Sequence, residues 1–135
     1  MLGEKFGENQ GRITGQRVIT GQDGIPRVET SFQATGKIYG IETQELGSYT
    51  SHVAPTGVLH GEGQGVAMTK DGDAISWRGN GVGRLTGKGQ AGSWRASLVY
   101  LTTSQKLARL NGVVGVIEWE VDENGNARGS AFEWK

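Results

Sequence analysis

The side chains best suited to chemistry lie in and around Gly61 to Leu85, where glycines alternate with polar residues. His60, Glu62 and Gln64 are spaced two positions apart, so in a β-strand their side chains share one face. Glu62 offers a carboxylate that can transfer a proton, accept a hydrogen bond or stabilise developing positive charge. If this face points inward, the three side chains form one polar band of a binding site.

The element that must position this band is a hairpin. Asp71-Gly72 is a favoured central pair for a tight turn between two strands. Centring the turn there places Met68 opposite Ile75 and Val66 opposite Trp77. Further along, Gln64 lies opposite Gly79, Glu62 opposite Gly81 and His60 opposite Gly83. Polar side chains on one strand thus face empty glycine positions on the next, which indicates the wall of a cavity.

The remaining chain repeats the same pattern of strand and turn. The stretch Val28 to Ile38 alternates apolar and polar residues, which is typical of a half-buried antiparallel strand. The other predicted turns are centred on Asp23-Gly24, Tyr39-Gly40, Pro55-Thr56, Gly87-Lys88 and Asn124-Gly125. Eight strands that each pair with the next predict an all-β fold, an antiparallel up-and-down (meander) barrel. A flattened sandwich is the alternative, and Ser104 to Leu110 predicts one short helix between strands six and seven.

The predicted register brings the chemical side chains together inside the barrel. Tyr49 falls opposite Glu62, and Arg17 lies in the same row of cross-strand partners. We therefore predict Glu62 and Tyr49 as catalytic residues and the following as ligand-binding residues: Arg17, Ser51, His60, Gln64, Trp77 and Trp94. An ionised Glu62 or Glu45 enclosed in a barrel is costly without a partner. Arg17 is the cation that the Glu62 row offers.

A purely structural interpretation of the same residues stays open. In it, the glycines make room for the rings of Trp77 and Trp94, while Arg17 and Glu62 form a buried ion pair. His52 falls on the outer face in the predicted register, so it should not share a metal with His60. The chain has no cysteine, and we predict no metal site and no cofactor. The spaced glycines at Gly79 to Gly83 open no helix, as a dinucleotide site requires.

Composition narrows the functional classes. The length of 135 residues suits a single domain over residues 1–135. Lysine plus arginine and aspartate plus glutamate both number 14, which removes the electrostatic argument for nucleic acid as a partner. We find no apolar run long enough to enter a bilayer and no secretory signal. The expectation is a soluble, cytoplasmic protein without membrane insertion.

The stretch GEGQGVAMTKDGDAISWRGNGVG resembles small uncharacterised bacterial proteins with the allene oxide cyclase type of barrel, an architecture shared by dirigent proteins. The similarity lies in topology and glycine pattern. It implies a closed eight-stranded barrel, a ligand in the lumen and assembly into homo-oligomers. Calycin barrels such as lipocalins are the alternative analogy. No catalytic residue carries over, because no active-site motif of the family matches a position here.

These observations lead to three functional hypotheses. The first is a barrel that binds a small, largely apolar molecule carrying one polar or acidic group. The second is an isomerase or cyclase of the allene oxide cyclase-like type, in which Glu62 handles a proton or a developing positive charge. The third is a filled barrel that serves as an oligomeric or partner-binding scaffold.

Overall fold

The computed structural model describes all residues from Met1 to Lys135. Eight antiparallel strands form a closed barrel in which each strand pairs with the next and β8 pairs with β1. The strands are β1 Leu2–Thr20, β2 Pro26–Ile38, β3 Ile41–Val53, β4 Leu59–Thr69, β5 Ala74–Leu85, β6 Gly92–Thr102, β7 Val114–Val121 and β8 Asn126–Trp134. The predicted fold class is therefore confirmed. None of the chain's segments forms a helix with the length and hydrophobicity needed to cross a bilayer.

Four of the hairpins have a loop that is one residue longer than the two-residue turn predicted from the sequence. In each of them three residues lie between the last pair of residues joined by backbone hydrogen bonds, and the third is a glycine with positive φ, as at Gly57 (85°) and Gly72 (90°). In the β4–β5 hairpin, Thr69 N–H donates to Asp73 O at 2.8 Å and Gly72 N–H donates to Thr69 O at 3.0 Å. This is a type I turn followed by a left-handed glycine. Tyr39-Gly40 alone follows the predicted two-residue pattern, with φ of 48° and 78°.

The extra loop residue changes which side chains face inward. A three-residue loop moves the register by one position, and one position exchanges the two faces of a strand. In the structure Ala67 pairs with Ile75 and Gly65 pairs with Trp77. The predicted pairs Met68–Ile75 and Val66–Trp77 are therefore wrong, and β4 presents the opposite face to the lumen.

Two other segments are reversed for the same reason. A two-residue turn at Asn124-Gly125 would turn Ser130 and Phe132 inward. In the structure Ala127 pairs with Val121 and Gly129 with Trp119, so Ser130 and Phe132 face outward. The distal half of β1 is shifted against β2 as well. Between Ile13 and Gly15 the pairing shifts by one more position. From Ile13 toward the start of β1, the side chains that face inward are therefore again those that the sequence predicts. The predicted pairing of β2 with β3 matches the observed register at every predicted position.

One end of the barrel is closed by the connection between β6 and β7, which we call the plug (residues 103–113). Its 3-10 helix spans Ala108–Gly112, somewhat later than the predicted Ser104 to Leu110. Leu107 and Leu110 are fully buried in the barrel end. The Ser104 hydroxyl does not cap this helix and instead donates to Asp73 Oδ2 at 2.9 Å.

Polar contacts fasten the plug to the barrel wall. Arg109 donates to Glu133 Oε1 at 2.9 Å, and the Tyr39 hydroxyl donates to the same oxygen at 2.7 Å. Burial and the adjacent Glu133 carboxylate raise the pKa of Tyr39 to about 12. Glu133 thus has both a cation and hydrogen-bond donors as partners. This inward carboxylate belongs to the closed end of the barrel.

Candidate functional site

The candidate site is a cavity of about 140 Å³ in the barrel lumen. Apolar side chains pack in two clusters inside the barrel. The first contains Phe6, Ala67, Ile75, Tyr100, Leu107 and Leu110. The second contains Phe32, Ala34, Trp94, Trp119, Val121 and Ala127. Members of both clusters line the cavity. An engineered apolar cavity of roughly 150 Å³ can bind benzene, so this volume suits a molecule built on one ring.

Part of the cavity wall has no side chains at all. Gly61 pairs with Gly81 and Gly63 with Gly79 across β4 and β5, and all four glycines line the cavity. A Cβ atom built on Gly79 would lie 2.0 Å from Ser97 O, so the neighbouring strand comes too close for any other residue. The glycine pattern thus does create wall space, although the glycines face one another and not polar side chains.

Other glycines accommodate aromatic rings. A Cβ on Gly65 would lie 2.4 Å from Trp77 Cζ2, and a Cβ on Gly47 would lie 2.4 Å from Phe32 Cζ. A Cβ on Gly83 would likewise lie 2.5 Å from Trp94 Cδ2. The structural interpretation of the glycines is therefore correct for Trp77 and Trp94. The Gly61–Gly81 and Gly63–Gly79 pairs line the cavity too, but an added Cβ at any of them would lie 2.0 to 3.0 Å from neighbouring atoms.

The principal polar group of the cavity is Glu45 on β3. Its Oε1 accepts a hydrogen bond from Asn9 Nδ2 at 2.7 Å. The nine ion pairs of the structure do not include Glu45. Burial raises the pKa of Glu45, and the Asn9 amide and the nearby Trp77 indole N–H oppose this rise in part. A carboxylate with a raised pKa and no cation is thus held inside the barrel.

Three further polar atoms in this region are buried without a hydrogen-bond partner. They are Asn9 Oδ1, Trp77 Nε1 and Trp119 Nε1. The Trp77 N–H is near enough to Glu45 to lower its pKa, and the Trp119 N–H acts similarly on Tyr49, but neither meets ordinary hydrogen-bond limits. Burial raises the pKa of the Tyr49 phenol. Buried polar atoms are nearly always paired, so each of these three requires an explanation.

The structure separates the residues predicted for the site. Tyr49, Trp77 and Trp94 line the cavity as expected. Tyr49 is opposite Gly63, so Tyr49 and Glu62 are not cross-strand neighbours as predicted. Ser51 is on the inner face of β3 but does not line the cavity.

The charged and polar residues predicted on β4 are outside the barrel. His60, Glu62 and Gln64 are exposed on the outer face, because the three-residue loops at both ends of β4 reverse it. The backbone at Glu62 still borders the cavity, since its neighbours Gly61 and Gly63 have no side chains. The predicted lumenal role of the Glu62 carboxylate is therefore wrong.

Arg17 and the histidines are also placed differently. The Arg17 side chain is 72% exposed and donates to Glu29 Oε1 at 2.9 Å, so it neither enters the lumen nor pairs with Glu62. His52 and His60 pair across β3 and β4 with ring centroids 5.9 Å apart, so their predicted separation on opposite faces is wrong. No group of three or more His, Asp or Glu side chains is arranged to hold a metal ion.

Sequence reasoning missed Asn9 and gave Glu45 no role in the site. Glu45 was already inward in the predicted register of β3, next to Ala34, and that pairing is observed. Asn9 belongs to the first half of β1, which the strand prediction did not include. The alternation through Gly7, Asn9, Gly11 and Ile13 was the available signal for it.

Comparison with known proteins shows similarity at the level of the fold. A protein of unknown function from Clostridium acetobutylicum matches with a TM-score of 0.81 and 17% identity over 98% of this chain and 97% of that one. A conserved protein of unknown function from Rhodopseudomonas palustris gives 0.80 and 13% over 98% and 97%. A beta-barrel-like protein from Acinetobacter baumannii gives 0.80 and 16% over 100% and 96%. No family model and no curated protein matches the chain.

Proposed function

We propose that the barrel binds one small, largely apolar molecule in its lumen, with the molecule's polar group at Glu45 and Asn9. The observation that carries this proposal is the group of polar atoms without adequate partners in one apolar cavity. Each buried, unpartnered polar atom costs about 1–3 kcal/mol. A ligand that supplies the missing hydrogen bonds recovers part of that cost. The arrangement also matches the general pattern of an apolar pocket with a few convergent polar groups.

The structure changes the chemistry expected of the polar group. The sequence allowed an acidic ligand because Arg17 was predicted to point into the lumen. Arg17 is instead on the outer surface with Glu29. Glu45 replaces it as the charge nearest to the ligand, so a neutral or cationic group fits this cavity better than a carboxylate.

Native mass spectrometry of gently purified protein tests the proposal. We expect a reproducible adduct of small mass on the wild-type chain. Ala96→Leu should remove it, because Ala96 lines the cavity and a larger side chain would fill the space. Ser97→Leu is the matched control, since Ser97 is the exposed neighbour on the outer face. An adduct that survives Ala96→Leu would place the bound molecule outside the lumen.

A second candidate is an isomerase or cyclase of the allene oxide cyclase-like type, with Glu45 in the role first given to Glu62. The supporting observation is a partly desolvated carboxylate whose raised pKa brings it closer to neutral pH, where proton transfer is most efficient. Glu45→Gln separates the two candidates once a substrate is known. An enzyme should lose turnover and keep substrate binding, whereas a binding protein should change only its affinity.

The outer face supports a third candidate, an oligomeric scaffold. Leu46 and Val66 form a cross-strand pair on this face and are 62% and 46% exposed, and Leu101 is 69% exposed. Exposed apolar side chains on neighbouring strands often mark protein contacts. The same native spectra give the number of subunits. A strict monomer at micromolar concentration would exclude a stable homo-oligomer.

A further inference from the structure

We infer that the ligand of the lumen is an organic cation, a protonated amine on a body of about one ring, held by Glu45 and the surrounding aromatic rings. This inference rests on the proposed function and specifies its ligand class. It comes from the charges, the rings and the hydrogen-bonding capacity of the cavity considered together.

The balance of charge inside the barrel favours a cation. Two carboxylates lie at inward positions, Glu45 and Glu133. Glu133 is at the plugged end, where Arg109 and Lys135 approach it at 2.9 and 3.6 Å. Glu45 has no basic side chain within 4.0 Å, whereas its carboxylate borders the cavity. An ionised carboxylate in an apolar site is stabilised most by an opposite charge. The one basic residue that borders the cavity, Lys37, is exposed on the outer face of β2 and forms no ion pair with Glu45, so the compensating charge has to come from a ligand.

The aromatic walls of the cavity are also suited to a cation. Seven of the ten aromatic side chains of the protein line it: Phe6, Phe32, Tyr49, Trp77, Trp94, Tyr100 and Trp119. The centroid of Phe32 is 4.7 Å from that of Trp119 and 6.3 Å from that of Trp77. Aromatic faces attract ammonium groups within about 6 Å, most strongly when the cation is desolvated. A ring on the ligand can also stack among these side chains.

At Glu45 and Asn9 the hydrogen-bonding capacity points to a ligand donor, whereas the two unpartnered indole N–H donors, on Trp77 and Trp119, lie near Glu45 and Tyr49. The Glu45 carboxylate and Asn9 Oδ1 both accept hydrogen bonds, and Asn9 Oδ1 has no donor. An ammonium group carries up to three N–H donors and can bond to both. A ligand carboxylate would instead be repelled by Glu45. A neutral alcohol could donate one hydrogen bond but would leave the carboxylate charge uncompensated.

Three probes that share one ring test the inference: benzylamine, benzyl alcohol and benzoate. Their affinities for the full chain are measured near pH 7 by titration calorimetry and by intrinsic tryptophan fluorescence. We expect benzylamine to bind at least about tenfold more tightly than benzyl alcohol. Benzoate should show no measurable binding.

Matched variants attribute the preference to one carboxylate. In Glu45→Gln, the preference for benzylamine should disappear while benzyl alcohol binds within about threefold of its wild-type affinity. Glu62→Gln should keep the wild-type preference, because Glu62 is exposed on the outer face. A circular dichroism melt of each variant verifies that it is folded.

The outcomes separate the inference from the proposed function. If wild-type protein binds benzyl alcohol as tightly as benzylamine, or if Glu45→Gln keeps the preference, the cation inference is wrong while lumenal binding stands. If benzoate binds best, the ligand is an anion and the inference fails. If none of the three probes binds, a one-ring lumenal ligand is excluded, and the proposed function fails with it.

Discussion

At the scale of single residues, Glu45 carries the chemical character of the lumen. Its carboxylate is bonded to Asn9 Nδ2 and borders Trp77, but it has no cation. The titratable group facing it is Tyr100, whose own pKa is raised by burial and by the Glu45 charge. Ionisation of Glu45 is therefore unfavourable as long as no cation lies beside it.

Glu45→Gln should make the ligand-free protein more stable at neutral pH. Burial raises the pKa of Glu45 above the ordinary 4.5, so the folded state holds this proton more tightly than the unfolded state. The corresponding stabilisation is complete below the unfolded pKa and is lost as pH rises through the folded pKa. Glutamine avoids this loss and still accepts from Asn9. We expect a gain of about 1–2 kcal/mol at pH 7 that vanishes toward pH 4, measured by urea denaturation.

Glu62→Gln provides the control for this comparison. Its exposed carboxylate should leave the pH profile of stability unchanged. A Glu45→Gln protein that is less stable than wild type at pH 7 would show that the ionised carboxylate is compensated in the free barrel.

The glycines under the aromatic rings should tolerate no side chain. Gly65→Ala places a Cβ 2.4 to 2.6 Å from three atoms of the Trp77 indole, which is packed and cannot rotate away freely. We expect a loss of about 1–3 kcal/mol in the free energy of unfolding. Gly15→Ala is the matched control, because no other part of the protein lies within 4 Å of its added Cβ. Equal stability of the two variants in urea would contradict this packing.

At the scale of elements, the three-residue hairpin loops decide which side chains enter the lumen. The chain was predicted with two-residue loops at Pro55-Thr56 and at Asp71-Gly72. Each prediction missed the register by one position, and the two errors on either side of β4 add to a shift of two positions between β3 and β5, which leaves the faces of these two strands unchanged. The predicted inner faces of β3 and β5 were therefore both correct. The reversed face of β4 did not conflict with the prediction for any other strand.

The observed register predicts an efficient disulfide between positions 52 and 60. His52 and His60 are direct partners on the outer face, and cross-strand partners have the Cα separation that a disulfide needs. The double variant His52→Cys/His60→Cys should oxidise readily in air, as counted by free thiols and intact mass. The chain has no cysteine of its own that would interfere.

The matched pair for this experiment is Ser51→Cys/His60→Cys, which follows the register predicted from the sequence. In the structure these side chains point to opposite faces of the wall, so little disulfide should form. Faster oxidation of this second pair would show that the β3–β4 register is wrong.

At the scale of the whole molecule, closure by β1 and β8 sets the dimensions of the lumen. Cross-strand partners can be followed once around the barrel from Leu59, and they return to β4 at Thr69. The stagger is therefore ten residues, with the strand tilt of roughly 35–45° usual for such barrels. Asn9 of β1 reaches Glu45 of β3, 36 positions away, across β2, where Gly36 pairs with both Asn9 and Thr43.

Closure also brings the two chain ends together, which predicts that the barrel tolerates circular permutation. Lys135 N–H donates to Met1 O at 2.7 Å. A short Gly/Ser linker between these residues, with new ends opened between Lys88 and Gly89, should preserve a cooperative unfolding transition and the near-ultraviolet dichroism. Both residues lie in the exposed β5–β6 loop.

A permutant opened between Gly79 and Asn80 is the control. These ends would interrupt β5 in the middle of its ladders with β4 and β6, and we expect it not to fold. If the loop permutant also fails to fold, the closed β1–β8 pairing does not describe the protein in solution.

The sequence by itself determined the strands apart from the first half of β1, their order, and the inner faces of most of them. Alternation of apolar and polar residues is a local property, so it put Phe32 and Ala34 on one face of the predicted strand Val28 to Ile38, and Trp77 was correctly predicted to point inward. The two-residue turn at Tyr39-Gly40 was sufficient to predict the pairing of β2 with β3, including Ala34 with Glu45. The closed meander followed from eight strands that each pair with the next.

Only the tertiary structure decided which polar groups reach the lumen. An Asp-Gly or Asn-Gly pair fits a loop of two or of three residues, and the two loops give opposite faces. In the observed register, glycines pack against Trp77 and Trp94, and closure of β1 on β8 fixes the stagger. These are long-range contacts, which no local pattern records. They place Glu62 and Arg17 outside and bring Glu45 to Asn9 at 2.7 Å.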